Sequence, residues 1–118
     1  MFRKLVAAGL LCVAMNAQAG FFDGNNMVKD MQEWEKYERK DPLANNLVAG
    51  VFMGYVAGVA DAYDDIIICP PDNSNVRQLS GVVAAFVKAN PARWAEPADV
   101  LVKDALTLSF PCKKKQGN

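Results

Sequence analysis

The sequence predicts an all-α protein, a compact four-helix domain. Apolar residues recur at three- and four-residue spacing almost throughout the chain, the period of a helix with one buried face. The pairs Asp41-Pro42, Pro70-Pro71 and Asn90-Pro91 interrupt that pattern, and an X-Pro step disfavours helix at the residue before it. Two widely spaced cysteines, Cys69 and Cys112, bracket the second half.

The N-terminus is set apart. Arg3 and Lys4 give a positive start, Leu5 to Met15 is an apolar run, and Ala17-Gln18-Ala19 is a small-x-small cleavage site. This is the pattern of a signal peptide spanning residues 1–19 and cleaved before Gly20, and it predicts export to the periplasm. The run is too short for a membrane span. Cys12 would leave with it, and Leu11 before it argues against lipidation.

Cleavage removes two of the 13 basic residues and none of the 13 acidic ones, for a net charge of −2 over 99 residues. That balance points away from nucleic acid and anionic membrane as partners. Cys69 and Cys112 then remain as an even pair in an oxidising compartment, which reads as a disulfide. On the chain-entropy account such a loop stabilises by about 4 kcal/mol. The rivals are a metal site, thin with two thiols and no histidine, and a redox pair, which would want two intervening residues.

The first helix is expected over about 25–40, capped by Asp23 or an asparagine after it. Gly20-Phe21-Phe22 is a short apolar lead-in. Met27, Met31 and Trp34 fall at i, i+4 and i+7 and predict its buried stripe. Glu33, Glu35, Lys36, Glu38, Arg39 and Lys40 would form a solvated opposite face. Asp41-Pro42 looks like a cap followed by proline at the first helical position, opening a second helix over about 42–65. That helix carries Gly50, Gly54 and Gly58 four residues apart. Each glycine costs about 1 kcal/mol of helix propensity against alanine, so three in register predict close packing, inside the domain or across a dimer seam. The aspartate-rich end and the exported context argue against a membrane span.

Ile66-Ile67-Ile68 predicts a buried extended segment leading into Cys69. Asn75 with Gln78 resembles a capping box, opening a third helix over about 76–89 that buries Leu79, Val83 and Phe86. Pro97 opens a fourth over about 97–109, burying Leu101, Ala105 and Leu108. Phe110-Pro111 returns the chain to Cys69, closing a domain of residues 20–112. Residues 113–118 look like a frayed polar tail.

Catalytic equipment is scarce. There is no histidine, which removes the commonest general base and the Ser-His and Cys-His nucleophile systems. Ser74, Ser80 and Ser109 lie in no nucleophile elbow, and no phosphate-cradling loop exists. No catalytic residue, cofactor or metal ligand is therefore assigned. The one concentrated polar feature is Asp61, Asp64 and Asp65. Asp61 and Asp65 are one turn apart, at a helix C-terminus where negative charge is unfavourable. They read as a solvated acidic end or as contacts to a basic partner, ahead of a cation site or a catalytic pair. Tyr55 and Tyr63, eight residues apart, are core-edge residues or interface anchors; Tyr63 joins the aspartates as a candidate contact.

The ordered residues carry a resemblance. Gly54-Tyr55-Val56-Ala57-Gly58-Val59-Ala60-Asp61-Ala62 is followed by Cys69-Pro70-Pro71, then Gln78-Leu79, Phe86-Val87 with Asn90-Pro91, Leu101-Val102 with Ala105-Leu106, and Phe110-Pro111-Cys112. From Gly54 to Cys112 this resembles the Rap/Tai family of type VI secretion immunity proteins. The resemblance implies a small, exported, helical protein, commonly a homodimer. It further implies a stoichiometric inhibitor that blocks the active-site cleft of a peptidoglycan amidase toxin in the periplasm. Many relatives carry a further cysteine pair where this chain has Met31 and Phe52-Met53, so both partners of that bridge are absent together. The competing expectations are an acid-stress holdase, also small, helical and stapled by one disulfide, and a structural envelope protein.

Overall fold

The structure is a computed structural model in which residues 21–113 are described. The expected signal peptide, its cleavage before Gly20, Cys12 and the tail from residue 114 lie outside the described residues.

Four helices follow in order: α1 (Gly24–Glu38), α2 (Asn46–Tyr63), α3 (Val76–Ala89) and α4 (Ala98–Ser109), with a 3-10 turn at Pro91–Arg93 before α4. Among the described residues, the remaining pairing is three isolated bridges, Asp23–Pro97, Asp64–Ile68 and Ile68–Pro111. The all-α expectation holds. α2 packs against each of the other three helices and supplies Phe52 and Val56 to the centre of the core. Around them lie Met27 and Met31 of α1, Val83 and Val87 of α3, and Leu101, Val102 and Leu106 of α4. Trp34 meets Phe52 with ring centroids 5.5 Å apart.

α1 begins where Asp23 accepts the Asn26 N–H at 2.8 Å, one of the end donors that no helical carbonyl reaches. Met27, Met31 and Trp34 are buried as expected. Gly24 donates to the Glu96 carbonyl at 2.8 Å. A Cβ there would lie 2.5 Å from the Trp94 carbonyl oxygen and 2.6 Å from Leu101 Cδ1. Gly24 thus lets the start of α1 sit against the loop entering α4, beside Phe22, whose carbonyl accepts the Ala98 N–H.

Several expectations are corrected. Asp41-Pro42 does not open α2: Lys40 takes a left-handed conformation, φ 57°, and Asp41 accepts the Leu43 N–H at 2.9 Å, forming a turn. Asn45 caps α2 instead, accepting the Val48 N–H at 3.1 Å, and the helix stops at Tyr63. The charged face of α1 is only partly solvated. Glu35 takes Lys88 at 2.7 Å and Glu38 takes Arg77 at 2.7 Å, both across to α3. Glu33 accepts the Asn45 N–H at 2.8 Å, tethering α2's start. Ile66-Ile67-Ile68 is a turn: Ile68 is fully buried and Ile66 is 68% exposed.

The capping box forms at Asn75 and Gln78, and α3 has the expected bounds. Leu79 and Val83 are buried, while Phe86 is half-buried, with the Arg93 guanidinium 5.5 Å from its ring centre. In α4, Leu101 and Ala105 are buried with Val102 and Leu106, but Leu108 is 74% exposed. It sits on the last turn, where Phe110 turns back onto the core and leaves it outside.

Candidate interaction surface

The acidic end of α2 is built on a hydrogen-bonded knuckle. The Tyr63 carbonyl accepts the N–H groups of Ile66, Ile67 and Ile68 at 3.1–3.2 Å, and Asp65 N–H donates to the Ile68 carbonyl at 3.0 Å. Asp65 holds φ at 58°, a left-handed conformation that aspartate tolerates better than most residues. The base of the knuckle is pinned to the end of α4. Cys69 N–H donates to the Phe110 carbonyl at 2.8 Å, Ile68 bridges Pro111, and Cys69 is disulfide-bonded to Cys112 with Cα atoms 4.8 Å apart.

Asp61, Asp64 and Asp65 are all exposed. None takes part in an ion pair among the described residues, and no basic residue lies in the last turn of α2. Nor do they converge: the described residues hold no group of three metal-ligating side chains placed to share an ion. What they offer is negative potential at one end of the molecule, suited to a positively charged surface.

The two tyrosines lie at the core's edge. Tyr63 is half-buried and packs against the core, with the Lys103 ammonium 5.9 Å from its ring centre. Tyr55 meets Phe22 edge-on with centroids 4.9 Å apart. Burial, then the Asp99 carboxylate, pushes its phenol above the ordinary range. The apolar group that projects beside the aspartates is Ile66, exposed where its β-branched run predicts burial.

Gly50, Gly54 and Gly58 are exposed, and a Cβ built on any of them meets nothing within 4 Å. The expectation that they pack closely inside the domain fails, because they lie on the side of α2 opposite Phe52 and Val56. Leu47 shares that outward side at 78% exposure and Val51 at 49%, with Leu43 just before the helix at 85%. Where this face meets the end of α1 and the start of α3, an open hollow of about 820 Å³ forms. Tyr37, Lys40, Asn46, Gly50, Met53 and Arg77 are among the residues that line it. The sequence signal for this face was present, since α2 is the most apolar helix and has more apolar positions than one core face can hold.

Residues 23–112 match the family model described as Rap1a immunity proteins. No curated protein matches the chain.

Proposed function

Since the chain belongs to the family of Rap1a immunity proteins, we propose that it is a periplasmic inhibitor that neutralises a type VI secreted peptidoglycan amidase by occluding the toxin's active site. The family match carries this reading. It spans the four helices from the α1 cap at Asp23 to Cys112, so the described fold as a whole corresponds to the family. The protein acts by binding, without turnover, and works as a homodimer.

The acidic knuckle is the surface we assign to the toxin. Asp61, Asp64 and Asp65 take part in no ion pair among the described residues, and Ile66 adds exposed apolar area beside them. The disulfide and the Tyr63 carbonyl hold the knuckle in one shape, which reduces the ordering that binding must otherwise oppose. A cleft that binds an anionic polymer presents complementary charge. Tyr63, capped by Lys103, backs the knuckle and positions it.

The test is binding and inhibition. The chain, purified oxidised from the periplasm of an expression host, is titrated against secreted peptidoglycan amidases of the source bacterium. The reading expects one amidase to lose activity at a stoichiometric end point. Reversal of Asp64 or Asp65 to lysine weakens that complex by roughly tenfold or more, the 1–3 kcal/mol range of a hydrogen-bonded charge contact. Unchanged affinity removes the knuckle as the contact. Weak binding of many unfolded clients, with no amidase inhibited, gives the family fold a holdase role instead.

A further inference from the structure

We propose that the Cys69–Cys112 disulfide is a redox gate on the acidic knuckle: oxidised, it holds the knuckle in its binding shape; reduced, it releases the knuckle and leaves the four-helix core folded. This deepens the proposed function and rests on its assignment of the knuckle to the toxin.

The place of the bond in the fold carries the inference. Cys69 and Cys112 are each partly exposed, and neither belongs to the buried core. That core is made by Phe52 and Val56 against residues of α1, α3 and α4, and α2 packs on all three helices. What the bond holds is an edge. Past Ser109, where α4 ends, Pro111 and Cys112 lie in no helix. They are tied to the knuckle by the disulfide, by the Cys69 N–H on the Phe110 carbonyl at 2.8 Å and by the bridge from Ile68 to Pro111. Ile68 is fully buried and roots the knuckle, its backbone pairing with Asp64 on one side and Pro111 on the other. With the bond open, one hydrogen bond and one bridge remain against the conformational freedom of both segments.

Above this base the knuckle is under load. Asp65 holds a left-handed φ of 58°, and such a conformation persists only where its surroundings impose it. Asp61, Asp64 and Asp65 put like charges within five residues of one another, and no basic residue lies in the last turn of α2 to offset them. The carbonyl end of the helix adds negative potential of its own. The covalent link is the part of the surroundings that a change of redox state removes.

Partial exposure opens the bond to thiol–disulfide exchange in the folded state. A dithiol reductant attacks one sulfur as its thiolate, and its second thiol then displaces the mixed disulfide. Two electrons and two protons pass to the chain, giving the Cys69 and Cys112 thiols and the oxidised reductant. A disulfide oxidant such as oxidised glutathione takes them back and leaves as two thiols. The knuckle is therefore absent in a reducing compartment and formed in an oxidising one, so the inhibitor becomes competent only once it is exported.

Amide exchange on the chain purified oxidised tests the gate without any toxin. Dithiothreitol is expected to speed exchange at residues 64–69 at least tenfold, with helical circular dichroism and the protection of Val56, Val83 and Leu101 retained. Oxidised glutathione is expected to restore the slow rates. The double variant Cys69→Ser with Cys112→Ser is expected to match the reduced chain. Unchanged exchange in the knuckle, or loss of the helices together with it, would each overturn the proposal. Against an amidase that the oxidised chain inhibits, the reduced chain is expected to bind at least tenfold more weakly, and equal binding would overturn the gate. A knuckle that opens and closes as expected in a chain that inhibits no amidase would retain the gate and reject only the assigned function.

Discussion

At the residue scale, the glycine that the fold requires is Gly24, which stands apart from the register of Gly50, Gly54 and Gly58. A methyl group at position 24 would overlap the Trp94 carbonyl and Leu101, and backbone cannot yield as a flexible side chain can. Gly24→Ala is therefore expected to lower stability by about 1–3 kcal/mol, the usual range for overpacking, as measured by urea unfolding. Ser80 works the other way. It is fully buried, and among the described residues no group pairs with its hydroxyl. Ser80→Ala is expected to raise stability by about 1 kcal/mol, because it removes an unpaired polar group from the core. A loss of that size would show that the hydroxyl holds an essential bond.

At the element scale, α1 is tied to its neighbours through carboxylates that the periodicity assigned to water. The Asn45 N–H, followed by Lys36, holds the Glu33 carboxylate below its ordinary value of 4.5, and Arg93 lowers Glu96 in the same way. A carboxylate depressed in the fold contributes stability that is present above the unfolded value and lost as pH falls through the folded one. Partial burial raises Asp30, which acts in the opposite sense. Glu33→Gln is thus expected to be less stable than wild type at neutral pH, with the gap closing below about pH 4.5; a gap that widens in acid would contradict the tether. Helix identity was legible because Met27, Met31 and Trp34, or Leu79 and Val83, lie on one stripe, and because Asn75 and Gln78 cap α3 by local bonds alone. The start of α2 was not. Asp41-Pro42 fits a cap or a turn equally well, and a long-range bond from Glu33 to Asn45 decides between them. Leu108 and Ile66 were misplaced for a related reason: periodicity identifies a face but not where the core ends.

At the scale of the whole molecule, one covalent link joins the knuckle after α2 to the end of α4, leaving the helices to be held by their own core. Opening it with a dithiol reductant is expected to lower stability by about 2–4 kcal/mol. Amide exchange should rise first around residues 64–70 and 110–113; a uniform rise across all four helices would show that the bond supports the entire core. The acidic knuckle was partly legible, since Asp61, Asp64 and Asp65 stand out in any reading. Its apolar member was hidden in an isoleucine run that looked like core. The outward face of α2 was legible only as a surplus of small and apolar residues, because sequence does not say which side of a helix a neighbour covers. The central claim, inhibition by stoichiometric binding, is tested most directly by titrating the oxidised chain into a peptidoglycan amidase secreted by the same bacterium while following cleavage of peptidoglycan fragments. Activity falling linearly to zero at a fixed stoichiometry is the predicted result. Full amidase activity with the chain in excess, for every such amidase, would contradict it.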